Sequence, residues 1–249
     1  VKIYLGSIAW RSYEAAFVKS LVQLIKAYPQ VAFLPHVGDA LVERARSVVA
    51  THFLEMTDAD VLLTIDSDIS FKPEDAIRIC EQAMKADIVV GAYACRSSAI
   101  PKPSSHLWTE PVEFDSQAKL VPVKWGATGF MAAHRRVFER LASRPDMTIC
   151  DVLHPWHFRP FYLPFIYDDP DGGHVLLSED YAFCERARQE GFEVWLDPTV
   201  RLGHIGDYMY RLEDMVQKPL PAGPMRLTRT GLVYKAEYAE GVRPAVPVL

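Results

Sequence analysis

An α/β fold with a mostly parallel central sheet is predicted by three observations. Short apolar strands alternate with helical stretches through the first two thirds of the chain; one strand, Val61-Leu62-Leu63-Thr64-Ile65, reads as a continuous apolar run; and after Arg96 the texture changes to Pro-punctuated loops and short strands. Alternation of this kind implies a parallel sheet with helices on both faces, and a continuous apolar strand is one buried on both faces. The 249 residues, 49% hydrophobic and 24% charged, are ordinary globular composition and suffice for one large domain with a sizeable core.

The elements follow in order. Residues 2–5 are a short strand ending at Gly6-Ser7. Residues 13–28 set Phe17, Leu21, Leu24 and Ile25 at helical spacing, closed by Pro29. A second strand, 31–34, is stopped by Pro35, and 40–56 is helical, with Leu41, Val48, Val49, His52 and Phe53 broadly on one side. After the strand 61–65 come a helix over 73–86 with Pro73 in its first turn and a strand 88–90 ending at Gly91. Beyond Arg96, short antiparallel strands are expected at 113–114 and 120–121 and a helix at 137–141. The aromatic, Pro-rich stretch 147–173 ends in Asp168-Asp169-Pro170-Asp171-Gly172-Gly173 and reads equally as a mobile lid or a solvated loop. A helix over 179–189 stops at Gly191, a strand follows at 193–196, and one more helical stretch is expected after Gly206, before Pro219, Pro221 and Pro224.

Charge and cysteines narrow the function classes. With 27 Lys and Arg against 32 Asp and Glu, the net charge of −5 argues against a duplex-DNA binder and leaves room for a local phosphate pocket. No apolar run approaches the roughly 20 residues of a membrane span, and the opening Val1-Lys2-Ile3-Tyr4-Leu5 reads as a strand rather than a signal peptide. Cys80, Cys95, Cys150 and Cys184 form no Cys-x-x-Cys pair, which excludes zinc-ribbon and thioredoxin-like readings; reduced thiols and a cytoplasmic location are expected.

Four groups of residues carry chemistry. Asp66-Ser67-Asp68 directly follows the buried strand, and ligands collect at the carboxyl ends of strands in open parallel sheets. Two carboxylates so close repel unless a positive charge joins them, and a hard divalent cation, Mg²⁺ or Mn²⁺, is the natural solution; a simple turn remains the competing account. In Ser178-Glu179-Asp180, Ser178 suits an N-cap, and the acidic pair in the first helical turn is either capping chemistry or an ionised general base. His204 lies between Gly203 and Gly206, where backbone approaches closely, and a neutral imidazole joining two carboxylates tilts preference towards Mn²⁺. Finally, Lys124-Trp125-Gly126-Ala127-Thr128-Gly129-Phe130-Met131 suits either a loop packing on a sugar or core packing with turn glycines.

Together, Ile65-Asp66-Ser67-Asp68, Gly126-Ala127-Thr128-Gly129-Phe130-Met131, Ser178-Glu179-Asp180-Tyr181-Ala182-Phe183-Cys184 and the run from Gly191 to Pro198 followed by Gly203-His204 resemble, in that order, the GT-A glycosyltransferases, especially the small single-domain bacterial and viral kind. The resemblance covers about residues 1–206. It implies a Rossmann-like three-layer sandwich with a small antiparallel acceptor-side part. A nucleotide-binding half, 1–98, would precede an acceptor and catalytic half, 99–206; residues 207–249, outside the resemblance, read as a helix and irregular tail that either closes over the donor or docks a partner.

The implied activity is metal-dependent transfer of a hexosyl group from a UDP- or GDP-sugar to an acceptor hydroxyl on a glycan, a lipid-linked sugar or a small molecule, by in-line attack with inversion, retention staying open. Asp68 and His204 would bind Mn²⁺ or Mg²⁺, and Asp66 would contact the metal or the ribose. Ser7, Arg44, Arg46, Ser67 and Lys102 would hold the donor. Tyr93, Trp125, Gly126, Thr128, Gly129 and Phe130 would form the sugar and acceptor side. Asp180 would take the acceptor proton, and Glu179 would orient the acceptor or cap the helix. No nucleic-acid partner is expected, and oligomeric state stays open.

Three rivals compete, one of them a sugar-nucleotide-forming nucleotidyltransferase, whose Gly-rich, Arg-containing loop after the first strand is absent from Gly6-Ser7-Ile8-Ala9-Trp10. A haloacid-dehalogenase-like phosphatase also places Asp-x-Asp after an apolar strand, but that family's pattern expects Thr or Val where Ser70 stands and places the motif near the N-terminus. A non-catalytic carbohydrate- or nucleotide-binding protein on the same fold would not need Asp66, Asp68, Asp180 and His204 together.

Overall fold

Residues 1–96, 102–108, 119–170, 172–206 and 209–211 are described by a computed structural model, which also gives 112–114, 225–228 and 231–234 as backbone strands. The first half alternates as expected: β1 (Ile3–Ala9), α1 (Ala15–Ala27), β2 (Ala32–Val37), α2 (Val42–Met56), β3 (Val61–Ile65), the two-residue β4 (Ile69–Ser70), α3 (Pro73–Ala86) and β5 (Ile88–Gly91). Then come β6 (His106–Leu107), β7 (Val112–Phe114), β8 (Val121–Trp125), β9 (Phe130–His134), α4 (Arg135–Ala142), and the strands β10 (Phe165–Asp168) and β11 (His174–Leu177). The remaining elements are α5 (Glu179–Gln189), β12 (Val194–Asp197), β13 (Gly203–Ile205), β14 (Met209–Tyr210), β15 (Met225–Thr228) and β16 (Gly231–Tyr234).

The central sheet runs β2-β1-β3-β9-β5-β12-β8-β6. Strands β2, β1 and β3 are parallel, β9 runs against both β3 and β5, and β12 is parallel to β5. β8 runs against β12, and β6 against β8, so only β8 and β9 oppose the common direction. The period of two in a strand splits its residues between two cores. Tyr4, Leu62, Val90 and Met131 pack with Val49 and Phe53 of α2, Phe138 of α4 and Phe183 of α5. Ile3, Leu5, Leu63 and Val89 pack with Phe17 and Leu24 of α1 and Ile79 of α3. The result is a three-layer α/β sandwich with a mostly parallel sheet, compatible with the Rossmann-like arrangement expected.

Four local differences from the sequence reading have physical causes. β1 runs to Ala9, four residues beyond its expected end, because it is paired on both sides by β2 and β3. β2 continues through Pro35, tolerated because this strand is paired on one flank only. Of the stretch expected as lid or loop, 147–164 is turns and loop, but its end forms the first strand and turn of an antiparallel β10–β11 hairpin, with Asp169 N donating to Gly173 O at 3.1 Å; its Asp171 lies outside the described residues. Beyond Gly206 the described residues are strands: β14 pairs with β13, and the β15–β16 pair is joined by β7. Most of the expected final helix falls outside the described residues. No described helix is long and apolar enough to cross a membrane.

One glycine sets how close α2 lies to the sheet. A Cβ on Gly6 would collide with Cγ1 of Val49, a fully buried, χ1-restricted side chain. The missing side chain lets α2 settle on β1 and carries Arg46, one turn before Val49, to the strand ends. Gly6→Ala is therefore expected to cost about 1–3 kcal/mol as an overpacked contact, read by urea denaturation, with Val49→Ala in the same chain recovering part of the loss. A Gly6→Ala protein as stable as its parent would mean that α2 does not approach this closely.

Candidate functional site

The parallel strands β1, β3, β5 and β12 end on one edge of the sheet, and the chemistry-bearing residues gather there. Asp66 follows β3 directly, and its backbone N–H donates to Gly129 O at 3.0 Å. Its carboxylate accepts two bonds from Arg46 of α2, from Nη1 at 2.8 Å and Nη2 at 3.0 Å. The Arg46 side chain is only 7% exposed, and its Nε lies 3.5 Å from Glu179 Oε1 at the start of α5. Burial alone would make this guanidinium easier to deprotonate, but Asp66, and then Glu179 and Asp180, hold it firmly charged. Asp66 and Arg46 thus form a fixed, planar pair.

Asp68 has different company. Its Oδ2 lies 3.6 Å from Nε2 of His204 and 3.0 Å from Nη1 of Arg96. The imidazole arrives from far along the chain because β4, just after Asp68, pairs with β13, and Ile205 N donates to Asp68 O at 2.8 Å. His204 Nδ1 lies 2.9 Å from the carbonyl of Ala94. A carbonyl only accepts, so Nδ1 carries the proton, and in the neutral ring Nε2 turns a lone pair towards Asp68. Two lone-pair donors 3.6 Å apart are beyond hydrogen-bond range; a shared divalent ion, with bonds near roughly 2.1 Å, fits between such groups. Burial would raise the Asp68 pKa, but His204, when its ring is protonated, and then Arg96 outweigh it and hold the carboxyl below its ordinary value.

The donor set therefore fits a hard divalent cation with two protein ligands, Asp68 and His204, and room for water or substrate oxygens. Asp66, expected to contact the metal or the ribose, directs both oxygens to Arg46. Among the described residues no three His, Cys, Asp or Glu side chains converge on a single ion position.

Asp180, the second residue of α5, is partly buried. The Ser178 hydroxyl and the Tyr181 N–H, the latter at 2.8 Å, both donate to its Oδ1. The Ser178 side chain thus serves Asp180 and makes no cap bond to the helix backbone. Burial, and then the neighbouring Glu179 charge, push the Asp180 carboxyl up to about 6 despite the nearby Arg46. The helix start does not keep it as firmly ionised as its position suggested; it titrates close to neutrality, which suits a group that must take and release a proton.

Tyr93 and Gly129 link these parts. The Tyr93 ring meets His204 edge-on at 5.2 Å, and burial drives its hydroxyl far above the ordinary tyrosine range. A Cβ on Gly129 would strike the Tyr93 hydroxyl and come within 3.0 Å of Asp66 Oδ2, so only glycine lets both groups sit beside this backbone.

The other expected sugar-side residues lie in the core. Trp125 is 3% exposed: Tyr181 stacks on it at 5.4 Å, Tyr167 meets it edge-on at 5.6 Å, and Lys124 Nζ stands 4.5 Å from its centre. Phe130 and Thr128 are fully buried, and Gly126 donates its N–H to Cys184 Sγ at 3.4 Å. These positions end β8 and open β9, both interior strands, which is why their side chains turn inwards.

Of the expected donor residues, Ser67 lines a cavity of about 270 Å³ together with Ile8, Trp10, Arg46, Asp66 and Asp68. Ser7 does not reach it. It is 1% exposed within β1, because that strand ends at Ala9 and residues 8–10 take the place expected for Ser7. Arg44 grips Asp39 through two bonds, 2.8 and 2.7 Å, and lines a larger cavity of about 780 Å³ with His36, Asp39, His154 and Trp156. Asp39 borders both cavities, so the two adjoin. Lys102 is exposed, with its carbonyl accepting from Cys95 N at 2.7 Å.

Two residues were not anticipated: Arg96, five residues after β5, and Asp39, two after β2. Both follow the carboxyl ends of parallel strands, a position that marks candidates without any motif.

No protein-family model matches this sequence, and no curated protein sequence matches it. Among solved structures, A197 from STIV is similar over 98% of this chain and 99% of its own, at 13% identity and a TM-score of 0.54. That is a likeness of fold along the whole chain. GalNAc-T7, solved with UDP, GalNAc and Mn²⁺, is a more remote match, with a TM-score of 0.47 and 14% identity over 92% of this chain and 46% of its own.

Proposed function

We propose that the chain is a metal-dependent glycosyltransferase that moves a hexosyl group from a nucleotide-diphosphate sugar, with UDP or GDP as carrier, to an acceptor hydroxyl with inversion. The observation that carries this reading is the facing of the Asp68 carboxylate and the His204 Nε2 lone pair across 3.6 Å. They stand at a strand end beside a cavity, with Asp180 beyond Arg46. A divalent cation bound there supplies Lewis-acid neutralisation of charge on the departing diphosphate.

The protein's own groups do the rest. Ala94 fixes the His204 tautomer, and Tyr93 fixes its ring. Arg46 locks Asp66 in one orientation, leaving it to orient the donor's ribose rather than to ligate the ion. Ser67 lines the diphosphate end of the smaller cavity, and the nucleoside extends past Asp39 towards Arg44 and Trp156. The acceptor proton passes to Asp180 Oδ2, since Oδ1 already holds the Ser178 and Tyr181 donors. Glu179 steers Arg46, and Lys102 adds positive charge at the rim. Unpaired cysteines accord with a cytoplasmic setting. The phosphatase alternative loses ground because its nucleophile would have to be Asp66, whose two oxygens are bound to one guanidinium.

Calorimetry of UDP and GDP binding, with and without Mn²⁺, tests the reading. Asp68→Ala is expected to weaken the Mn²⁺-dependent component by at least roughly tenfold. Nucleotide binding that ignores both Mn²⁺ and the substitution would refute it.

A further inference from the structure

Each carboxylate lining the smaller cavity has an arginine partner, and the three partnerships differ in kind. Asp39 and Asp66 are each gripped by two nitrogens, from Arg44 and Arg46 respectively. Asp68 meets Arg96 as an ion pair, Nη1 to Oδ2 at 3.0 Å, with no hydrogen bond of good geometry between them among the described residues, and that side chain is 51% exposed. The same Nη1 makes only a long 3.4 Å bond to Ile205 O, and the Arg96 stem lies over Gly206. The oxygen it touches, Asp68 Oδ2, is the one that faces His204 Nε2. A guanidinium and an ion shared by Asp68 and His204 would therefore claim one oxygen.

We propose that Arg96 is an internal counter-cation of Asp68, which yields the carboxylate to an entering divalent ion and then pairs with the diphosphate of the bound nucleotide. The proposal rests on the glycosyltransferase reading and adds a coupling to it: ion and nucleotide each improve the site for the other. Charge balance supports the sequence of events. With Arg96 on Asp68, each carboxylate of the cavity is matched; an entering ion that takes over Asp68 leaves a net two positive charges, one of them on the freed Arg96, and the two negative charges of a sugar-nucleotide diphosphate restore neutrality. Displacement is easy because an ion pair with an exposed partner and no directed hydrogen bond is weak. The freed guanidinium remains at the cavity wall that Arg96 already lines, and its planar fork matches phosphate oxygens.

The test is Mn²⁺ binding to the full chain, followed by the paramagnetic resonance signal of the free ion, with and without UDP. Arg96→Gln is expected to bind Mn²⁺ alone about threefold more tightly than the parent, because a weak competitor is gone. It is also expected to lose about tenfold of the tightening that UDP brings, the size of a charge-assisted bond to phosphate. Arg96→Lys, which keeps the charge without the fork, should fall between. Mn²⁺ affinity in Arg96→Gln that is equal to or below the parent's, or an unaltered UDP effect, overturns the role of Arg96 while Asp68→Ala still abolishes ion binding. If Asp68→Ala binds Mn²⁺ as the parent does, the metal site itself is wrong and the proposal goes with it.

Discussion

Asp180→Asn is expected to lower the rate of sugar transfer by roughly 10²–10⁴-fold, the usual contribution of a positioned general base, while leaving nucleotide binding intact. In the parent, the rate should fall on the acid side with a midpoint near 6, where the carboxyl becomes protonated and can no longer accept the acceptor's proton. A second consequence has the opposite sign. The carboxyl titrates at about 6 in the folded chain against 3.8 ordinarily. Between those values the folded state therefore holds more protons than the unfolded one, and stability falls as pH rises through that window. At pH 8 the ionised group costs at most about 3 kcal/mol. Asn, which still accepts from Ser178 and Tyr181, should thus raise the melting temperature at pH 8, with the advantage vanishing towards pH 4. A variant that transfers sugar at the parental rate would remove Asp180 from the base role. One that is inactive but no more stable at pH 8 would show that the carboxyl is better solvated than the structure places it.

Arg46→Met should have the largest effect on stability. It strips a nearly buried guanidinium from between Asp66 and Glu179 and leaves two carboxylates without their shared partner. Breaking a buried pair from one side costs about 3–5 kcal/mol, and the partial exposure of Asp66, 24%, points to the lower end. In a chain of this size a loss of about 3 kcal/mol lowers the melting temperature by roughly 6–12 °C. Adding Asp66→Asn removes one stranded charge, so the double variant should be more stable than Arg46→Met alone, a difference that a double-mutant cycle measures. A loss below about 1 kcal/mol would mean that water reaches this guanidinium freely.

The parts of the fold legible in the sequence are those fixed by local chemistry. The extents 61–65, 73–86 and 179–189 emerge unchanged, because an unbroken apolar run, a proline in the first turn and a glycine stop each act within a few residues. Strand length was less readable: β1 and β2 are prolonged by each other, a long-range effect invisible in residues 6–9 or at Pro35. The site divides along the same line. Asp66 and Asp68 declare themselves by following a buried strand, whereas the choice of Arg46 for the one and His204 for the other depends on how closely α2 packs and on the β4–β13 pairing. Trp125 and Phe130 show the reverse case. Aromatics flanking a pair of glycines look like a sugar platform until the surrounding strands and Tyr181 are in place, and then they are core.

The β4–β13 ladder ties two residues just past Asp68 to Gly203 and His204. All eight strands of the central sheet come from residues before Gly203, so a nascent chain can settle its framework before His204 is made. Under the proposed function, ion affinity then becomes a late milestone of synthesis: a partly made chain would carry both aspartates without the imidazole that is to share the ion.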